Sequence, residues 1–296
     1  MTPNWEDRFS SWASAPGTVE QEKCDRAENA IKKSISESAE LYNKSISCFT
    51  QGSYRNRTTV RQESDVDVCV MCRDSIFFDL PEGYSAGDFG ITTPAEYSYP
   101  TFKNDVYKAL VNYFGSDSIS TGNKAYDLHE NTYRVDADIV ATFEFRRYNK
   151  SGSYIEGTAF LTSSGTRIEN WPNQNYENGV TKNSATSRRF KSIVRVLKNL
   201  KYEMEDSGID IASRIPSYLL ECLIWNVPNE GFDHVTLTAD VRYAIAHLYN
   251  NTMKIESCRE WGEINELKYL FWSGQSWTVN ETHDFLGRAW DYLGLE

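Results

Sequence analysis

Apolar and polar residues alternate sharply at 65–70. Val66, Val68 and Val70 take one side, and Asp65, Asp67 and Cys69 take the other. That two-residue period is the mark of a strand with one buried face. It returns at 135–139, where Val135, Ala137 and Ile139 alternate with Asp136 and Asp138. Strands are therefore expected across 124–147. A hairpin is expected from 154–160 and 166–171, turning at Ser163-Ser164-Gly165.

Elsewhere the spacing is helical. Ala27, Ile31, Ile35, Tyr42 and Ile46 recur mostly every four residues, predicting one long helix over 18–45. A Thr18-x-x-Gln21 capping box would open it after the breaker Pro16-Gly17. Val106 and Leu110 predict a helix over 101–114 that Gly115 ends. Ile193, Val194, Val196, Leu197 and Leu200 form the apolar side of another over 186–206. Pro216 starts an apolar helix that Pro228 stops. Two more follow, at 236–250 and from the capping box Thr278…Glu281 to Tyr292. Residues 73–100 keep no period and read as a surface loop. The stretch 170–183, with turn signals at Trp171-Pro172 and Asn178-Gly179, reads as a boundary between lobes. Strands in the first half and helices in the second make the fold class α+β.

Composition narrows the function. The chain has 296 residues, 40% of them hydrophobic, enough for a substantial core and two lobes. A net charge of -11 argues against non-specific binding of long duplexes, which depends on Lys and Arg neutralising phosphates. Small anionic substrates suit it better. No apolar run approaches the roughly 20 residues of a membrane helix, and the N-terminus has no signal-peptide pattern, so a cytoplasmic protein is expected. The six cysteines are scattered. Cys69-x-x-Cys72 lacks the second ligand pair of a zinc site, which makes packing the better account. His129, His234, His247 and His283 show no ligand spacing.

Candidate chemistry gathers between Gln51 and Val70. Asp65 and Asp67 point the same way from a rigid strand, a pairing that suits a hard divalent cation. Upstream, Gly52 and Ser53 could cradle a phosphate without steric conflict. An isolated D-x-D is more often only a solvated acidic face. A third carboxylate comes from the second alternating stretch, from Asp138 or Asp136. Arg146, Arg147 and Tyr148 form a basic and aromatic cluster beyond that strand, either solvated charge or a substrate contact. Lys191, Arg195 and Lys198 lie at i, i+4 and i+7 and make one cationic stripe, which is usually a solvated face. Ser217 and Tyr218 sit at a helix N-terminus, where free amides favour phosphate.

The string G-S-x(4)-T-x(5)-S-D-V-D resembles the signature of the DNA polymerase β-like nucleotidyltransferases. Asp138-Ile139-Val140-Ala141 resembles the motif that closes their triad, with Ala141 where proline is usual. The segment NWPNQNYENGVTKN, together with RRFKSIVRVLKNLK and IPSYLLECLIWNVP, resembles the bacterial cGAS/DncV-like nucleotidyltransferases (CD-NTases), with wording closest to the E clade. The resemblance implies a nucleotidyltransferase core of mixed sheet and flanking helices over 1–172, and a helical lobe similar to that of oligoadenylate synthases over 173–296. The spine helix could span both, and the donor nucleotide would lie in the cleft between them.

The implied activity is synthesis of a cyclic oligonucleotide second messenger from NTPs in antiphage signalling, with the clade resemblance pointing to a cyclic dinucleotide that contains a pyrimidine. Asp65, Asp67 and Asp138 would hold two Mg²⁺ ions, with Mn²⁺ able to substitute. Gln51, Gly52, Ser53, Lys191 or Lys198, and Ser217 would bind the nucleotide. The expected partners are NTP substrates and a separate effector that reads the product; a monomer is expected, with no membrane and no duplex activator. Two other readings share these motifs: transfer of one nucleotide to RNA or a small molecule, and a non-catalytic nucleotide-binding scaffold.

Overall fold

The computed structural model describes residues 4–15, 17–60 and 65–295. Helices α1 (Trp5–Trp12) and α2 (Thr18–Ser36) lead to strand β1 (Ile46–Gln51), the short helix α3 (Gly52–Asn56) and strand β2 (Val66–Asp79). Helix α4 (Tyr99–Phe114) then precedes β3 (Ile119–Thr121), β4 (Tyr126–Leu128), β5 (Ala137–Tyr148), β6 (Tyr154–Leu161) and β7 (Arg167–Asn170). The remainder is helical: α5 (Pro172–Ala185), α6 (Arg189–Asp206), α7 (Asp210–Ser213), α8 (Ser217–Trp225), α9 (Leu237–Thr252), α10 (Ile255–Cys258) and α11 (Val279–Leu293). This is the expected α+β chain. The described residues fall into two compact units, one from 17–55 and 64–173 and the other from 1–16, 56–63 and 174–296.

The sheet unit is built on the order β1-β2-β5-β4-β3, with β6 pairing β5 and β7 pairing β6. Strands β2 and β5 run parallel while the other pairs are antiparallel. Val66, Val68 and Val70 of β2 and Ile139, Ala141 and Phe143 of β5 join Ile31 and Ile35 of α2 and Phe102, Val106 and Leu110 of α4 in one buried core. Helices α2 and α4 therefore cover one face of the sheet. The alternate residues, Asp67 and Asp138 among them, are left to the other face.

The second unit packs α6, α8, α9 and α11 around Ile193, Leu197, Leu219, Leu223, Ile245 and Phe285. Helix α1 belongs to it. Phe9 is fully buried in this core, and the Glu6 carboxylate accepts the Leu237 and Thr238 amides at the start of α9, at 3.0 and 2.8 Å. An acid at a helix N-terminus is favoured by the exposed amides there. Among the described residues, no helix is long and apolar enough to cross a membrane.

Several predicted boundaries move. Helix α2 ends at Ser36, well short of 45, and Ile46 opens β1 by pairing with Cys72. Strand pairing there overrides a four-residue spacing that serine-rich 34–38 supports poorly, since serine hydroxyls compete with the helical ladder. Thr18 is the first helical residue and Gly17 the cap, so no capping box forms. The expected loop at 73–100 begins later, because β2 runs on to Asp79 after a register shift between Cys72 and Ile76. That irregularity resets the alternation and hides the strand. Asn178-Gly179 lies inside α5, where Asn178 Nδ2 donates to the Ile264 carbonyl at 2.8 Å, so a tertiary bond claims the side chain a turn would use. Helix α6 starts at Arg189, after Ser187 and Arg188 turn the chain with positive φ. The box at Thr278 and Glu281 forms as expected.

Phe102 tests the sheet-unit core. It is fully buried and packs on Phe143 with ring centroids 5.6 Å apart. Phe102→Ala should lower unfolding stability by about 3–5 kcal/mol. Urea denaturation should show this as a lower midpoint at unchanged slope.

Candidate active site

One row of residues crosses the face of the sheet turned away from α2 and α4. Ladder pairing sets Gln51 of β1 opposite Asp67 of β2, Asp67 beside Asp138 of β5, Asp138 opposite Asp127 of β4, and Asp127 opposite Ser120 of β3. Residues paired in this way project to the same face. Asp65 lies just before β2 and is exposed.

Three acids side by side carry an electrostatic cost. The Asp138 carboxyl is pushed up to about 6, first by burial, then by the negative charge of Asp127 and Asp65, with a hydrogen bond to Asp127 and the charge of Asp136 adding to it. An all-oxygen, like-charged donor set of this kind fits a hard divalent cation. Among the described residues, no three His, Cys, Asp or Glu side chains are yet drawn together closely enough to hold an ion. The fit is one of donor chemistry and ladder register.

Gly52 and Asp67 are sterically matched. Gly52 has φ +64°, and a Cβ there would overlap the Asp67 carboxylate. Only glycine combines that backbone with so close an approach. Gly52 opens the short helix α3, with Ser53 in its first turn. Two side chains anchor it within the sheet unit. Tyr54 donates its hydroxyl to Asp25 Oδ1 of α2 at 2.7 Å and accepts from Gln21, and Arg55 donates to Asn173 Oδ1 at 2.9 Å.

Of the two candidates for the third acid, Asp136 has other duties. Its carboxylate accepts the Glu130 amide at 2.6 Å and its carbonyl accepts the Val66 amide at 3.1 Å. Asp138 is the acid in the row. The sequence reading missed Asp127, although buried Tyr126 and Leu128 flank it in the alternation of a half-buried strand. Three residues are too few for a period to stand out.

Lys191, Lys198 and Ser217 belong to the helical unit. Lys198 is fully buried and paired with Glu221 of α8 at 2.8 Å. Lys191 is largely buried, and burial pulls its pKa down, opposed by Glu221 and reinforced by Arg195 and Arg57. The Ser217 and Tyr202 hydroxyls stand 3.5 Å apart. The stripe expected to be solvated is therefore mostly buried. Arg146 and Arg147 lie within β5, not beyond it. Arg146 pairs with Glu144 at 2.6 Å, and Arg147 pairs with Glu169 at 3.7 Å while lying over Trp171. Cys69 and Cys72 are buried in β2, and burial pushes the Cys69 thiol up to about 12.

Comparison with known proteins adds an independent line. The profile of the cGAS/DncV-like nucleotidyltransferase C-terminal helical domain matches residues 177–294. A cyclic dipyrimidine nucleotide synthase, CdnE, of Cecembia lonarensis is 43% identical over 294 residues, covering 99% of this chain and 99% of its own. The protein of the same name from Legionella pneumophila is 43% identical over 297 residues, again covering 99% of each. The solved CdnE cyclic dinucleotide synthase of Elizabethkingia meningoseptica, with GTP and Apcpp, superposes with a TM-score of 0.82 at 30% identity over 98% of each chain.

The match of Gly52 to Asp67 predicts coupled stability. Gly52→Ala should cost about 1–3 kcal/mol through a strained positive φ and the clash. Gly52→Ala in an Asp67→Ala background should cost less than the sum of the two single changes, because the overlapping carboxylate is gone. Additive values from chemical denaturation would show that Asp67 does not lie over Gly52.

Proposed function

The chain belongs to the cGAS/DncV-like nucleotidyltransferases, and from that premise we propose that it joins two pyrimidine nucleoside triphosphates into a cyclic dinucleotide, releasing pyrophosphate at the carboxylate row of the sheet unit. The observation that carries the site is the ladder register that sets Asp67 beside Asp138. The pyrimidine choice is supported by two relatives, each 43% identical over nearly the whole chain, that are named cyclic dipyrimidine nucleotide synthases.

Asp65, Asp67 and Asp138 are assigned as the residues that hold two Mg²⁺ ions, with Mn²⁺ able to replace them. Bound divalent cations supply positive charge at the reacting phosphate and at the oxygens that enter and leave it. Asp138 receives the proton of the attacking hydroxyl, whose oxygen forms the new bond to the α-phosphorus as the bond to pyrophosphate breaks. A carboxyl group raised by burial and by neighbouring acids is better suited to that proton than an ordinary aspartate. Gly52 leaves room for a phosphate beside Asp67, and the amides at Gly52 and Ser53 favour its negative charge. Gln51 borders the row. Of the two lysines, Lys191 is assigned to substrate phosphate, because Lys198 is held by Glu221 away from water. Ser217 is its assigned companion on α8.

The net charge of -11 supports activity without a duplex activator and disfavours RNA as acceptor. We take the enzyme to act as a cytoplasmic monomer whose product is read by a separate effector protein in antiphage signalling.

Purified protein incubated with all four NTPs and Mg²⁺ or Mn²⁺, without nucleic acid, should yield a phosphatase-resistant cyclic dipyrimidine by mass spectrometry. Linear products alone would favour single-nucleotide transfer, and untouched NTPs a binding scaffold. Asp67→Asn should abolish product while leaving the thermal midpoint unchanged or higher, since it removes repulsion from the row. Acidification gives a further test. Below about pH 6 the Asp138 carboxyl holds a proton that a cation must displace. Mn²⁺ affinity should therefore fall on acidification, by up to about tenfold per pH unit for one displaced proton.

A further inference from the structure

The acid that completes the row sits on a strand of three residues. Strands β3 and β4 are three residues each and pair only with one another and with β5 in the sheet order. Tyr126 donates its hydroxyl to the Lys103 carbonyl of α4 at 2.8 Å, and Leu128 is fully buried, so β4 is pinned on both sides of Asp127. On β3, Ser120 Oγ donates to Asp127 Oδ2 at 3.1 Å. Ladder pairing then sets Asp127 directly opposite Asp138, within reach of a cross-strand neighbour. The result is a relay of contacts, Ser120 to Asp127 to Asp138, running along the row from the edge of the sheet.

We propose that Asp127 is a positioning residue: it holds the Asp138 carboxyl in the orientation that serves the cation and the attacking hydroxyl, and Ser120 in turn holds Asp127. This rests on the assignment of Asp138 made above. An aspartate has two side-chain torsions, and the backbone of its own strand does not fix the second. A neighbour directly across the ladder on a pinned strand does so, as outer partners orient the ligands of metal sites generally. Asp127 faces Asp138 from β4, on the far side from Asp67 on β2, which suits support of the ligand more than direct contact with substrate.

Three variants test this. Asp127→Ala removes the contact, Asp127→Asn keeps a polar group that donates to Asp138, and Ser120→Ala loosens Asp127 without touching the acids. Asp127→Ala should lower kcat by about 10–100-fold, the usual range for loss of a ligand's outer partner, with NTP KM little changed. Mn²⁺ binding, read without turnover from the loss of the free-ion EPR signal, should weaken in the same variant. Asp127→Asn should recover most of both losses. Ser120→Ala should shift both in the same direction by less, and it keeps the test open should Asp127→Ala fold poorly. Parental kcat and Mn²⁺ affinity in Asp127→Ala and Ser120→Ala would overturn the proposal. So would Asp127→Asn as impaired as Asp127→Ala, which would make Asp127 a direct ligand. Asp138→Asn separates the two levels: if it retains parental activity the assignment of the site itself fails, whereas an inactive Asp138→Asn beside an unaffected Asp127→Ala removes only the positioning role.

Discussion

The parallel pairing of β2 with β5 is the constraint on which the site depends. Its register matches Val66 with Ala137, Asp67 with Asp138 and Val68 with Ile139. A slip of one residue in either strand would turn every side chain of that strand over, moving valines out to solvent and a carboxylate in beneath α2 and α4. The packing of Val66, Val68, Ile139 and Phe143 against those helices therefore selects the register. The chemistry inherits it, because whatever alternates with the core residues must lie side by side on the other face. Burial decides where the acids stand without touching them.

That arrangement costs free energy locally. Burial raises the Asp138 carboxyl, and the like charges of Asp127 and Asp65 raise it further. The positive φ of Gly52 against the Asp67 carboxylate is a second concession at the same place. Local conflicts of this kind persist where the surrounding structure over-determines them, and they gather at functional sites. Here the surroundings are specific. Tyr54 holds α3 to Asp25 of α2, Arg55 holds it to Asn173, and Tyr126 holds β4 to α4. A cation would offset the repulsion and leave those supports unchanged.

What could be read from the sequence follows the range of the interaction involved. The alternation at 65–70 and 135–139 is local, so the strands and the faces of Asp67 and Asp138 are legible from it. Their adjacency is not, because register between strands about seventy residues apart in the chain is a tertiary property. Asp127 was hidden by the brevity of β4. Helix α2 was overextended because Ile46 continues a helical spacing by coincidence while its backbone pairs with Cys72. Asn178-Gly179 carried a turn signal into the middle of α5, where the bond from Asn178 to Ile264 decided the matter.

The helical unit shows the same limit in its charges. Lys191, Arg195 and Lys198 share a helix face, and periodicity alone makes such a face solvent-exposed. All three are largely buried. The Arg195 guanidinium donates to the Ala13 and Arg57 carbonyls at 2.7 and 2.6 Å, and burial draws its pKa down to about 10. It joins α1 and the segment after α3 to α6 through carbonyl acceptors. Glu221 answers Lys198 directly and acts on Lys191 at longer range. Three cations withdrawn from water on one helix face are costly to desolvate. Removing one partner of a buried pair costs about 3–5 kcal/mol, and buried charge persists only where the fold has other reasons to hold the helix in place. Those reasons are the buried Phe190, Val194, Leu197 and Leu200 on the remainder of α6. In this unit, as in the sheet, the apolar side of an element holds charge where charge alone would not stay.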